Sequence, residues 1–127
     1  MTILIKDFMS TPVTTCTIDT DVGRVRDIMT LKGFSALPVV EVKSDSLEIK
    51  GIITYRDIAG AYDDNVNVKQ MMTERVQVVS PDTTAQKSAE IMKMAGIHHL
   101  VVVEEGRIVG MVSAADYVGL VASHTLG

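Results

Sequence analysis

The chain has 127 residues, with 12 Lys and Arg against 16 Asp and Glu for a net charge of −4, and 46% of it is hydrophobic. That apolar share supports a real core in one domain or two small joined ones, and excludes a disordered or fibrous chain. The acidic balance, with no dense Lys/Arg cluster, argues against duplex nucleic acid as a partner.

The single cysteine, Cys16, excludes an internal disulfide and fits a reducing compartment. Lys6 and Asp7 interrupt the first apolar residues, so no signal peptide is expected. The apolar runs fall far short of the roughly 20 residues needed to cross a bilayer. A soluble, cytoplasmic protein without a membrane partner is expected. Aromatic residues make up 4% and Trp is absent, so Val, Ile, Leu and the 8 Met must build the core.

The chain repeats itself. A shift of 63 positions lays Lys6 on Lys69, Met9 on Met72, Val13 on Val76 and Asp19-Thr20 on Asp82-Thr83. It continues without a gap through Gly33 on Gly96 to Val39-Val40-Glu41 on Val102-Val103-Glu104. At Gly51 and Gly110 the shift has become 59, so the first copy holds four extra residues, placed in the polar stretch 42–50. An insertion there reads as a lengthened surface turn.

In chain order, each copy opens with a short helical lead-in, Ile3 to Phe8 or Val66 to Met72. Brief β-prone segments follow at Val13 to Cys16 and Val76 to Val79. Val22, Val25, Ile28 and Met29 recur at helical spacing, as do Ala85, Ala89, Ile91, Met92 and Ala95. Asp19/Thr20 and Asp82/Thr83 are the expected N-caps, and Gly33 and Gly96 the expected C-terminal stops. Leu37–Glu41 and Leu100–Glu104 read as strands buried on both faces. A hairpin returns as Ile52–Thr54 and Met111–Ser113, and closing helices begin near Tyr55 and Ala114. The order predicts an α/β (α+β) fold of two β-α-β-β-α motifs, 1–64 and 65–127. A pseudo-twofold axis relates them, with sheets packed and helices outside. One motif of about 60 residues would be marginal alone.

The most informative stretch is Gly51-Ile52-Ile53-Thr54-Tyr55-Arg56-Asp57-Ile58, echoed by Gly110-Met111-Val112-Ser113-Ala114-Ala115-Asp116-Tyr117. A hydroxyl and a carboxylate three apart across a helix start share one face. With first-turn amides that favour an anion, the corner suits a molecule carrying a diol and a phosphate. The same Ser/Thr-x-x-Asp spacing is also a helix-capping arrangement.

These features resemble the cystathionine-β-synthase (CBS) domain, and two in tandem resemble a CBS pair, or Bateman module. The likeness rests on the β-α-β-β-α order and on Phe34-Ser35-Ala36-Leu37-Pro38-Val39-Val40 followed by Gly51 to Asp57. The second copy matches with Gly96-Ile97-His98-His99-Leu100-Val101-Val102 and Gly110 to Asp116. The lead-ins Met9-Ser10-Thr11-Pro12-Val13 and Met72-Thr73-Glu74-Arg75-Val76 also fit, so the resemblance runs from about Ile5 to about Ala122.

The resemblance implies a regulatory module that binds AMP, ADP, ATP or S-adenosylmethionine in clefts between the motifs. Asp57 with Thr54, and Asp116 with Ser113, would hold the ribose and lie near the phosphate. One cleft would join Thr54, Arg56 and Asp57 to Gln77, Val78, Val79, Ile97, His98 and His99. The other would join Ser113 and Asp116 to Thr14, Thr15, Cys16, Phe34, Ser35 and Ala36. His98, His99 and Arg56 make the Asp57 cleft the expected site for a phosphorylated ligand. Ser35, Ala36 and Ala115 stand at the corresponding positions of the other.

Plainer roles stand beside these. Adjacent histidines in a strand point to opposite faces, which speaks against His98-His99 with His124 as a metal site. Cys16 reads as a buried structural thiol, Arg56 equally as a solvated residue, and Met29, Met92 and Met94 as core or dimer interface. No nucleophile–base pair, metal-ligand spacing or Gly-rich phosphate loop is present, so no catalysis and no catalytic cofactor are expected. Two readings stay open: a sensor that signals ligand occupancy to a separate effector protein, or a ligand-independent pairing module. Both predict a homodimer.

Overall fold

The computed structural model describes residues 2–123, so the His124 considered above lies outside the described residues. The chain divides into two compact units, one spanning Thr14–Val76 and the other combining the chain up to Val13 with the chain from Gln77 onward. The compact units therefore do not follow the repeat boundary: each repeat lends its lead-in to the unit built on the other.

The first unit runs β1 (Cys16–Thr17), α1 (Val22–Lys32), β2 (Ala36–Lys43), β3 (Ser46–Thr54), α2 (Tyr55–Ala59) and α3 (Val68–Met71). The second runs from a 3₁₀ turn (Ile5–Asp7) to β4 (Val78–Val79), α4 (Ala85–Ala95), β5 (His99–Glu104), β6 (Arg107–Ser113) and α5 (Ala114–Ala122). Each unit has a three-stranded sheet, in the order β1-β2-β3 or β4-β5-β6. The opening strand pairs parallel and the hairpin antiparallel. The expected β-α-β-β-α order is present twice, in a mixed α and β fold.

The sheets are centred on runs without a polar alternation. Leu37, Val39, Leu100, Val101 and Val102 are wholly buried, as two-faced burial of these apolar strands requires. Around β2 gather Val22, Val25 and Met29 of α1, Ile53 of β3 and Ile58 of α2. Around β5 gather Met92, Val112 and, from the N-terminal lead-in, Ile5. The first core likewise receives Val66 and Val68 from the following lead-in. Burying an aliphatic side chain of this kind stabilises by roughly 1.5–3 kcal/mol, which is why short lead-ins with few internal bonds hold their places.

Three expectations need adjusting. The opening strands are only two residues long, and β1 is Cys16–Thr17 rather than Val13 to Cys16. The hairpin of the first unit is longer than expected, because Val42, Lys43 and 46–50 continue the ladder and leave Ser44 and Asp45 at the turn. The N-caps are Asp21 and Thr84, not the residues before them. Thr20 Oγ1 instead accepts from Thr17 N at 3.1 Å, and the Thr83 hydroxyl pairs with Ser80 at 3.4 Å, so these side chains close the preceding turns.

The exchanged lead-ins supply what the helix starts lack. Val22 N donates to Val66 O at 2.8 Å, and Ala85 N donates to Ile3 O at 2.8 Å. First-turn amides have no partner within their helix, so these bonds satisfy groups that burial would otherwise leave unpaired. At the far ends Gly33 and Gly96 adopt φ of 72° and 66°, the left-handed stop expected there.

Candidate functional site

Both hydroxyl–carboxylate corners form where a hairpin strand turns directly into a helix. In the first unit, Thr54 ends β3 with extended backbone and caps α2. Its Oγ1 accepts from Asp57 N at 3.1 Å, and an Asp57 carboxylate oxygen accepts from Thr54 N at 3.0 Å. This reciprocal capping box fixes the carboxylate beside the strand end. Ser35 O accepts from Tyr55 N at 2.9 Å, and Ala36 pairs with Thr54 across the ladder. The corner is thus seated on the start of β2.

The second unit repeats the plan. Ser113 stands at the N-cap of α5 without a side-chain capping bond, and Ser113 N donates to an Asp116 carboxylate oxygen at 2.8 Å. Ala114 N donates to His98 O at 2.9 Å, and His99 pairs with Ser113 across the ladder.

A glycine opens each corner for a close approach by the exchanged lead-in. Thr73 pairs with Ile52 through two 2.9 Å backbone bonds, and a Cβ on the adjacent Gly51 would stand 2.6 Å from Thr73 O. Ser10 pairs with Met111 at 2.9 and 3.1 Å, and a Cβ on Gly110 would stand 2.9 Å from Met9 Cγ and 3.2 Å from Ser10 O. Opposite each glycine the ladder bulges, between Val39 and Val40 and between Val102 and Val103.

This approach brings in a residue that sequence reading missed. Thr73 Oγ1 donates toward both carboxylate oxygens of Asp57, at 3.4 Å each. Its counterpart Ser10 makes no such bond to Asp116 among the described residues. The signal was present in the repeat alignment, which pairs Ser10 with Thr73, but nothing in the spacing ties either to a carboxylate.

The remaining expected site residues divide between the units. Thr54, Arg56 and Asp57 share the first unit with Thr14, Thr15, Cys16, Phe34, Ser35 and Ala36. Ser113 and Asp116 share the second with Gln77, Val78, Val79, Ile97, His98 and His99. Arg56 is exposed and forms no ion pair among the described residues, which leaves its charge available. Ser35 and His98 are exposed, Thr14, Thr15, Phe34, Ile97 and His99 half-buried, and Ala36 and Val79 buried. Cys16 is buried with its Sγ 3.8 Å from Pro38 O, and burial pushes its thiol up to about 12. A thiol held neutral in this way is a packing group rather than a nucleophile. Met29 and Met92 are core residues, whereas Met94 is 89% exposed.

A separate groove of about 440 Å³ in the first unit is lined by Ile18, Glu41, Lys50, Lys69, Met72 and Glu74 and shares no residue with the corner. Lys50 pairs there with Glu41 at 3.9 Å and with Glu48 at 3.3 Å, so its charge is already answered. Among the described residues no group of three His, Cys, Asp or Glu is placed to hold a metal ion. No helix among them is long and apolar enough to cross a membrane.

Comparison with known proteins identifies the architecture. The inosine-5′-monophosphate dehydrogenase of Korarchaeum cryptofilum is 33% identical over 112 residues, covering 87% of this chain and 23% of that enzyme. The chain thus spans less than a quarter of that relative's length, and the likeness does not extend over the whole enzyme. The crystal structure of the CBS domain pair of protein MJ0100, in complex with 5′-methylthioadenosine and S-adenosyl-L-methionine, superposes with a TM-score of 0.85 at 27% identity. The match covers 96% of this chain and 98% of that one. The CBS-domain containing protein ATU1752 from Agrobacterium tumefaciens gives 0.80 at 26% identity over 94% and 93% of the two chains. The CBS domain family model matches residues 5–64 and again 68–123. The chain belongs to the CBS domain family, as a tandem pair of CBS domains.

Proposed function

We propose that this CBS pair is a sensor that binds an adenosine-containing ligand, of the class AMP, ADP, ATP or S-adenosylmethionine, and passes occupancy to a separate partner protein. The observation that carries the reading is the corner built twice, Thr54 with Asp57 and Ser113 with Asp116. In each, one carboxylate oxygen accepts from the strand-end amide. An ionised carboxylate has acceptor capacity beyond that bond, enough for the two hydroxyls of a ribose. A CBS pair of similar fold was crystallised with two adenosine compounds, which supports this ligand class.

Arg56 precedes Asp57 where Ala115 precedes Asp116, so the Asp57 corner is the better place for a phosphorylated ligand. The partner would respond because ligand binds one arrangement of the protein more tightly than another, the condition any population shift must meet.

A thermal-shift series with AMP, ADP, ATP and S-adenosylmethionine tests the reading. A ligand at 100 times its Kd stabilises by about 2.7 kcal/mol, a readily measured rise in Tm. No rise with any of the four, on protein stripped of bound nucleotide, would reject it.

A second reading is a ligand-independent pairing module. It is favoured by Val118 and Val121, which stand 70% and 53% exposed on α5. Light scattering with and without AMP separates the two, since a pairing module keeps one mass and one affinity for itself in both conditions.

A further inference from the structure

We propose that Tyr117 is a positioning residue for Asp116: its hydroxyl fastens α5 to Ser88 of α4 and so sets where the neighbouring carboxylate points. The proposal rests on the ribose reading given above for the Ser113/Asp116 corner.

The need for a fastening comes from α5 itself. Its nine residues include none that is buried, whereas the shorter α2 anchors itself with Ile58, which is 3% exposed. A helix without a buried side chain is held by what its few inward contacts supply. Tyr117 provides two. Its hydroxyl donates to Ser88 Oγ at 2.5 Å, and its ring meets Phe8 edge-on, with centroids 5.2 Å apart and planes at 73°. The ring pair has the edge-to-face arrangement that aromatic side chains prefer.

The hydroxyl chain is fully directed. Ser88 is wholly buried, and its own proton goes to Ala85 O at 2.8 Å, so its oxygen lone pair is left for Tyr117. Burial raises the Tyr117 phenol above its ordinary range, which keeps it protonated as the donor. A buried hydroxyl deprived of this donor is costly, so the bond resists being given up.

The two copies differ here. In the repeat alignment Tyr117 corresponds to Ile58, Ser88 to Val25 and Phe8 to Met71. Ile58 and Val25 are both core residues of the first unit. Where the first copy has an apolar anchor, the second has a directional hydrogen bond, which constrains the rotation of the helix more tightly. Asp116 is one residue away on the same helix, tied at its other side by Ser113 N. Rotation of α5 therefore carries the ribose-binding carboxylate with it.

The test uses Tyr117→Phe, Ser88→Ala and the double variant in the full chain, with two readouts. Amide hydrogen exchange over 114–122, without ligand, is expected to speed up in each single variant and no further in the double, because both remove one bond. Calorimetry with AMP is expected to show about a threefold to tenfold loss in the binding that Asp116→Asn abolishes, at most one net hydrogen bond's worth. The binding that Asp57→Asn abolishes should be unchanged. Unchanged exchange in α5 overturns the fastening. Faster exchange with a lower Tm but unaltered AMP affinity reduces Tyr117 to a packing residue and overturns the positioning role. Absence of any AMP or S-adenosylmethionine binding by the wild-type protein overturns the ribose reading, and the positioning role with it. The exchange measurement needs no ligand and distinguishes the two failures.

Discussion

Thr73 Oγ1 lies 3.4 Å from each carboxylate oxygen of Asp57, although sixteen positions separate the two residues in the chain. The backbone pairing of Thr73 with Ile52 delivers it there, and Gly51 leaves the room. The hydroxyl adds a second tether to the carboxylate beside the Thr54 amide. Thr73→Val should weaken an adenosine ligand at the Asp57 corner by about threefold to tenfold, a net hydrogen bond's worth. Thr73→Ser should retain most of the affinity. Calorimetry should also show that Thr73→Val narrows the preference for AMP over 2′-deoxy-AMP, since the effect acts through the diol.

Gly51 and Gly110 face different obstacles. A methyl at Gly51 meets the Thr73 carbonyl at 2.6 Å, which is backbone held in a bridge, and Met72 Sδ at 3.0 Å. At Gly110 the nearest atoms belong to the flexible Met9 side chain, with Ser10 O farther off at 3.2 Å. Overpacking costs typically 1–3 kcal/mol, so Gly51→Ala should lie near the top of that range and Gly110→Ala near the bottom. Urea unfolding of the two variants measures the difference. Met9→Ala should relieve Gly110→Ala in the double variant.

Cys16 makes a prediction about pH. Burial pushes its thiol from 9.0 up to about 12, so the folded form keeps the proton that the unfolded chain gives up. The stability this group contributes is fully present below pH 9.0 and is lost as pH rises toward 12. The slope it adds is at most about 1.4 kcal/mol per pH unit. Cys16→Ala should flatten that part of the profile. The native thiol should react with iodoacetamide at pH 8 only on the timescale of unfolding.

The duplication carried most of the fold. Gly33 and Gly96 marked helix ends, the apolar runs at Leu37 and Leu100 marked the buried strands, and the two Ser/Thr-x-x-Asp corners stand where the sequence put them. What it hid is long-range. Nothing periodic in Met9-Ser10 or Met72-Thr73 shows that each will pair with the hairpin of the other repeat, because a single bridge has no pattern. The misplaced N-caps share this cause. Val66 O and Ile3 O, distant in sequence, take the first-turn amides of α1 and α4. The two-residue strands β1 and β4 were shorter than any propensity window can fix. Nothing in the sequence marks Ser88, and only its burial and its bond to Tyr117 reveal the hydroxyl pair.

Asp57→Asn and Asp116→Asn separate capping from ligand binding. An asparagine oxygen can still accept from the Thr54 or Ser113 amide, so the helix cap survives. The second acceptor oxygen is replaced by a donor, so a ribose diol loses a partner.

Isothermal titration calorimetry of nucleotide-free wild-type, Asp57→Asn and Asp116→Asn proteins against AMP and S-adenosylmethionine is the most direct test. A sensor of adenosine ligands shows saturable binding that falls more than tenfold with one or both substitutions while Tm stays within a few degrees, as intact caps require. Binding of equal strength in all three proteins, or none in the wild type, would contradict it.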